Sequence, residues 1–302
     1  MSYDLLVILG ATASGKTRLG VQLGRVLSGE IISADSRQVF RGMDVGTGKD
    51  LAEYGDIPHH LIDILDPGAE FNVFRFQGLF LEAFNSIRSR DRLPILAGGT
   101  GMYLDAVLKG YRLVEVPNNQ ALREELADVP LDDLAGRLRI ANPRLHNSTD
   151  LLDRSRLLRA IEIAEFEAKH PVPQFPSFNP IVIGIRWERG TLRRRITERL
   201  KQRLDSGLIE EVERLHRNGV SYETLEYYGL EYRFLARYLR GELSRNDMFQ
   251  QLNSAIHDFA KRQETWFRRM ERNGIVIHWV EGEGEPLAEA LQVVSSLVES
   301  KN

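Results

Sequence analysis

Apolar residues fall along this chain in two rhythms, and the rhythm changes with position. Leu5–Gly10 is a continuous apolar run ending in a glycine-rich turn, as a strand buried on both faces does. Lys16 to about Leu27 follows with helical spacing, and Glu30–Ser33 reads as a second strand. Leu61–Leu65 predicts a weaker strand, and Phe71 to Arg90 predicts a long helix from apolar positions three and four residues apart. Pro94–Ala97 predicts another strand, which runs into Gly98-Gly99-Thr100-Gly101 and a helix through about Lys109. Short apolar strands alternating with helices, with glycines at the strand ends, predict an α/β fold: a parallel sheet flanked by helices on both faces. Ligands of such sheets bind at the C-terminal ends of the strands.

After Pro117 the pattern changes. Residues 118–169 are helix-like throughout, and the stretch from His170 to Pro180 then holds four prolines in eleven residues, a stiff linker. Strand character returns at Ile181–Trp187, so 117–180 reads as a helical insertion in an α/β core made of 1–116 and 181–302. The remainder is helical except for Ile275–Val280, and no internal repeat is present. Within Ser244–Arg272, Met248, Leu252, Ile256, Phe259, Trp266 and Met270 keep the helical period, so one face is expected in the core. Lys261, Thr265, Arg268 and Arg272 share another face, beside Arg262 and Arg269. Long basic side chains lined along a helix suit a phosphate backbone; a solvated helix face is the competing explanation.

Composition narrows the classes. The 302 residues are 42% hydrophobic and 27% charged, which fits one large globular domain or a core with a smaller insertion and not a disordered chain. No run of eighteen apolar residues occurs, and the N-terminus lacks the pattern of a secretory signal; a cytoplasmic protein with no membrane partner is expected. The absence of cysteine excludes disulfides, cysteine nucleophiles, iron–sulfur clusters and cysteine-bound zinc. The net charge of −3 decides nothing, but Arg186–Arg272 holds 19 Lys/Arg against 14 Asp/Glu, a basic region that suits an anionic partner.

Gly10-Ala11-Thr12-Ala13-Ser14-Gly15-Lys16-Thr17 fits the phosphate-loop pattern G-x-x-x-x-G-K-[ST], with a strand before it and a helix after. Its glycines let backbone N–H groups turn toward phosphate oxygens, and the helix N-terminus adds partial positive charge. Lys16 supplies a full charge, and the Thr17 hydroxyl is placed to ligate Mg²⁺. A di- or triphosphate ligand follows. A nucleoside triphosphatase usually has a second strand ending in a metal-holding acid, but Pro94–Ala97 ends in Gly98-Gly99-Thr100. The strand-end acid near the loop is Asp35, which could act on Mg²⁺, act on the attacking group, or only cap a turn. Thr100 could likewise be only a helix N-cap. His59 and His60 lack further ligands at metal-binding spacing, so packing or hydrogen bonding is their expected role.

Taken together, Gly10–Thr17, the run from Ser33 to Thr47, Pro58–Asp63, Gly98–Tyr103 and Ala260–Arg268 resemble the tRNA dimethylallyltransferase family, in order, from the N-terminus to about residue 272. The resemblance implies a phosphate-loop NTPase-like fold. It also implies transfer of a dimethylallyl group from dimethylallyl diphosphate to N6 of adenosine 37 of tRNA, with Mg²⁺. It makes Asp35 the base and has Thr100 orient the adenine or the diphosphate. It places tRNA against Asp35, Ser36, Arg37, Gln38, Thr100, Arg123 and the segment Ser155-Arg156-Leu157-Leu158-Arg159, with the insertion closing over the anticodon stem-loop. Lys261, Arg262, Gln263 and Arg268 join that list from the late basic helix, and a monomer is expected. Three features depart from the family: Tyr227-Tyr228-Gly229-Leu230-Glu231-Tyr232-Arg233 replaces the usual Gly-Tyr pair closely preceded by Arg, Asn72 stands where Ser or Thr is common, and the linker is Pro-rich. The alternatives are an adenylate isopentenyltransferase acting on free nucleotides, a small-molecule kinase of the phosphate-loop class, and a non-catalytic tRNA-binding module. The basic helix and the insertion argue against the first, and the complete loop with Asp35 argues against the last.

Overall fold

The structure is a computed structural model that describes residues 3–141, 153–170 and 174–299. Two parts of the sequence reading, Pro171–Pro173 of the linker and residues 142–152 of the insertion, lie outside the described residues. The chain divides into two compact units, Met1–Lys109 with Ser177–Asn302, and Gly110–Pro176, whereas the sequence reading drew the insertion at 117–180.

The first unit is built on six parallel strands: β1 (Leu5–Gly10), β2 (Gly29–Ala34), β3 (His59–His60), β4 (Leu93–Gly98), β5 (Pro180–Arg186) and β6 (His278–Glu281). Their order is β3-β2-β4-β1-β5-β6. β1, β2 and β4 are buried at every residue, which is why β1 and β4 read as continuous apolar runs and not as alternations, while β2 buries Glu30 and Ser33 within the sheet. The chain leaves β1 toward one side of the sheet and later returns to add β5 on the other. The ends of β1, β2 and β4 therefore meet at a topological switch point, where open α/β sheets bind ligands.

On one face α1 (Lys16–Leu27) and α12 (Pro286–Glu299) pack on Leu6, Ile8, Ile31, Ile95 and Ile183. On the other lie α2 (Val73–Arg88) and α3 (Gly101–Leu108), joined by Phe76 stacked on Tyr103 at 4.2 Å and by the Gln77 amide donating to the Ala106 carbonyl at 2.9 Å. Asn72 N-caps α2 through its side chain, accepting the Arg75 N–H at 2.9 Å; an amide oxygen does there what a hydroxyl does elsewhere. A second core joins α7 (Arg189–Asp205), α8 (Leu208–Arg217), α9 (Tyr222–Tyr227), α10 (Leu230–Leu239) and α11 (Arg245–Arg272) to the loop after β2. The other unit holds α4 (Gln120–Glu125), α5 (Leu131–Ala141) and α6 (Arg154–Glu167) around Leu122, Leu134, Leu138, Leu157 and Ile161. No helix among the described residues is long and apolar enough to cross a membrane.

Three sequence expectations are corrected. The strand expected at Leu61–Leu65 is His59–His60 instead, because Leu61 and Asp63 take φ of 62° and 54° and end the extended chain; Leu65 keeps a single parallel bridge to Phe40. The last strand starts at His278, three residues later than expected. Phe259 is 38% exposed, and the buried stripe of α11 runs through Met248, Leu252, Ile256, Ala260, Gln263, Phe267 and Met270.

Candidate active site

The loop from Gly10 to Thr17 leaves the end of β1 and enters α1. Gly15, with φ 88°, supplies a left-handed turn at the helix start that a residue with a Cβ adopts only under strain, and Ala13 holds φ 62° beside it. The loop carbonyls are tied down from outside. Trp187 Nε1 donates to Ser14 C=O at 2.9 Å, and Arg195 Nε donates to Ala13 C=O at 3.0 Å with its guanidinium 4.0 Å over the Trp187 ring. Gln263 Oε1 accepts the Thr12 N–H at 2.8 Å while its Nε2 donates to the Gly99 carbonyl at 2.9 Å.

Positive charge gathers around this loop from residues the sequence reading did not single out. Arg195, Arg199 and Arg203 sit one turn apart on α7. Arg199 pairs with Asp50 at 2.5 Å, and half-buried Arg203 reaches Glu231 at 3.2 Å and the Gly46 carbonyl at 3.3 Å. Burial, and then the charges of Arg199 and Arg203, bring the Lys16 amine down to about 8; Asp35 and Asp50 pull the other way. Such a cluster of cations is poised for a ligand carrying several negative charges. The i, i+4, i+8 spacing of these arginines was legible in the sequence, but nothing in it said that the stripe faces the loop.

Asp35 and Thr100 stand at the ends of adjacent strands, where the Thr100 N–H donates to the Ala34 carbonyl at 3.3 Å. Asp35 Oδ1 accepts the Arg37 N–H at 2.8 Å, and its second oxygen accepts no hydrogen bond from the described residues. Thr100 occupies the N-cap position of α3, yet its hydroxyl makes no capping bond, so that hydroxyl stays available. Tyr54, close to the Thr17 hydroxyl, has its phenol held well above its ordinary range mainly by burial. Behind Asp35, the buried Lys49 ammonium donates to Asp44 at 2.6 Å, to the Phe40 carbonyl at 2.7 Å and to Asp63. Glu211 accepts the N–H groups of Asp44, Val45 and Gly46 at 2.8, 2.8 and 3.0 Å. These contacts fix the loop that carries residues 35–50.

A family model described as IPP transferase matches residues 38–270. The tRNA dimethylallyltransferase 1 of Geotalea uraniireducens is 68% identical, over 97% of this chain and 98% of that protein. The chain belongs to the IPP transferase family. Among solved structures, the full-length tRNA isopentenylpyrophosphate transferase from Bacillus halodurans superposes with a TM-score of 0.72 at 32% identity, covering 99% of this chain and 96% of that one. A eukaryotic dimethylallyltransferase acting on tRNA shares the fold, with a TM-score of 0.80 at 22% identity over 99% of this chain and 80% of its own. The α/β phosphate-loop architecture is thus that of the IPP transferases.

Three of the residues expected to contact tRNA have side chains engaged or buried inside the protein. Gln38 is buried, accepting from Ser33 Oγ at 2.9 Å and donating to the Gly48 carbonyl at 3.1 Å. Gln263 is spent on Thr12 and Gly99, and Leu157 is buried in the core of its own unit. Arg123 and Arg159 both bind buried Glu162, at 2.7 and 3.0 Å. That pairing, led by Arg123, pulls the carboxyl down to about 2. Ser155 and Arg156 are exposed and Leu158 is half-buried; Ser36 and Arg37 are half-buried beside Asp35. Lys261, Arg262 and Arg268 are exposed on α11, where Lys261, Arg262, Thr265, Trp266 and Arg269 border one surface hollow. His60 bonds Glu30 at 2.8 Å and His59 lies against the Tyr54 ring at 4.6 Å, the packing and hydrogen-bonding roles expected of them.

Proposed function

We propose that this IPP transferase moves a dimethylallyl group from dimethylallyl diphosphate to N6 of adenosine 37 of tRNA, giving N6-(dimethylallyl)adenosine and diphosphate. The observation that carries the reading is a phosphate loop whose Lys16 lies within reach of the charges of Arg199 and Arg203, with a carboxylate oxygen that has no hydrogen-bond partner among the described residues at the next strand end. The allylic C–O bond breaks as charge moves onto the leaving diphosphate, and the N–H groups of the loop with these cations stabilise that charge. The adenine amine is a weak nucleophile because its lone pair is delocalised. Asp35 accepts its hydrogen bond and takes the N6 proton as the C–N bond forms, while the Thr100 hydroxyl orients the base or the diphosphate.

The donor set fits Mg²⁺. Thr17 offers a hard oxygen, Asp35 and Asp50 lie close enough to act on Lys16, and no cluster of three or more acidic or histidine ligands exists among the described residues. An ion held by Thr17 and substrate oxygens agrees with that arrangement, and when bound it neutralises part of the diphosphate charge. The target base must leave its stack to reach strand-end depth.

The test is incubation with dimethylallyl diphosphate, Mg²⁺ and unmodified tRNA, followed by digestion to nucleosides. N6-(dimethylallyl)adenosine from tRNA, and none from AMP or ATP, is the expected result. Prenylated free nucleotides in its place point to the adenylate reaction, and phosphoryl transfer from ATP points to a kinase.

A further inference from the structure

Tyr227 ends α9 with its side chain in solvent at 69% exposure, the most exposed aromatic among the described residues. Its neighbour Tyr228 is 2% exposed and packs on Phe40, ring centres 4.6 Å apart, so the helix end itself is firmly seated. Gly229 then turns the chain into α10 with φ 128°, a backbone state reserved for glycine. That turn brings the position a Cβ would occupy to 4.0 Å from Arg37 Nε. Arg37 lies over the Tyr227 ring at 5.2 Å. Among the described residues the Arg37 guanidinium donates no hydrogen bond and joins no ion pair, and the Tyr227 hydroxyl has no hydrogen-bond partner. The pair borders the site: the Arg37 N–H is held by Asp35, and Arg37, Asp35 and Tyr227 all act on buried Tyr103.

An exposed aromatic ring backed by a guanidinium with unspent donors has the chemistry of a surface that takes another flat ring. Single-stranded RNA is recognised in this way, by unpaired bases stacked on aromatic faces or guanidinium planes. We propose that Tyr227, with Arg37 against it, is a stacking platform for an unpaired nucleobase adjoining the target adenine. The inference rests on the transfer reaction proposed above and adds a determinant of its specificity. A mononucleotide has no second base to place there, so the platform favours RNA over free adenine nucleotides. The platform acts in RNA binding and takes no part in bond making, so its signature belongs in KM and not in the rate at saturation.

A chemical double-mutant cycle tests this. Three RNA hairpins carry the target adenine in an unpaired loop: one intact, one abasic on the 5′ side of the target, one abasic on the 3′ side. Each is assayed with the wild-type protein, Tyr227→Phe and Tyr227→Ala. The expected result is a KM for the intact hairpin raised about tenfold by Tyr227→Ala, equivalent to about 1.4 kcal/mol, with kcat unchanged and Tyr227→Phe near wild type. On one of the two abasic hairpins, the wild-type protein should already show the raised KM and Tyr227→Ala should add nothing. An equal loss from Tyr227→Ala on all three hairpins, or none on the intact one, overturns the platform while leaving the transfer reaction in place. If the wild-type protein modifies neither the intact hairpin nor tRNA, the transfer reading fails and takes this inference with it.

Discussion

One oxygen of Asp35 is held by the Arg37 N–H and the other has no hydrogen-bond partner among the described residues. A group meant to collect a proton needs that division: an anchor that sets its direction and a lone pair kept open. Asp35→Asn keeps the shape and an acceptor but removes the charge and most of the basicity. Single-turnover transfer is expected to fall by about 10²–10⁴, with tRNA affinity little changed. A lower apparent affinity for diphosphate that extra Mg²⁺ partly restores, at an intact maximal rate, would show a metal-holding role instead. At this scale the sequence was informative where a residue works through a local pattern. The phosphate loop, Asp35 and Thr100 are all named by their places at strand ends. Gln263 and Gln38 enter the sequence reading only as tRNA contacts implied by resemblance, and only the fold shows their amides used inside.

Helices and strands were mostly legible, because full burial writes itself as continuous apolar runs and half burial as a helical period. The exceptions have local causes. Leu61 and Asp63 are apolar and acidic residues in left-handed backbone, a conformation that hydrophobic pattern does not encode. The helices of the 110–176 unit depend on a buried charge that no periodicity reveals. Glu162 is 3% exposed and binds Arg123, Arg159 and the Asn119 N–H. Its carboxyl is drawn from an ordinary 4.5 down to about 2. A depressed carboxyl contributes stability that is complete above the unfolded value and is lost as pH falls toward the folded one. These helices should therefore weaken between about pH 5 and 2, losing of order 3 kcal/mol. Glu162→Gln should show most of that loss already at pH 7, because two guanidinium groups are left unpaired. Circular dichroism of the full-length variant across that range measures it; a Glu162→Gln melting curve unchanged at pH 7 would remove the pairing from the list of what holds α4 to α6.

For the whole molecule, charge is distributed unlike its sum. A chain of net −3 presents Lys261, Arg262, Arg268 and Arg272 in solvent along one helix. The sequence could place these residues on a common face, but it could not say whether that face was covered. If they meet a phosphate backbone, each releases counterions on binding, and log affinity falls linearly with log salt. Changing Lys261, Arg262 and Arg268 together to Ala should flatten that slope by about 2 to 3 and weaken tRNA binding regardless of sequence. Filter binding from low to moderate salt reads both quantities. An unaltered slope and affinity would make the face ordinary solvated surface.

Gln263 joins three stretches of chain that lie far apart in sequence, gripping Thr12 with its oxygen and Gly99 with its nitrogen. Such a joint leaves little freedom to mutation. Glutamate could still accept from Thr12, but would turn a bare oxygen toward the Gly99 carbonyl. Asparagine falls one methylene short of spanning the two, and leucine of similar volume leaves a buried N–H and a buried C=O unanswered. Glutamine is both long enough and two-handed. The early, middle and late parts of this sequence are thereby tied at one point: a shift of the late helix at Gln263 is passed to the Gly10–Thr17 loop and to Gly99.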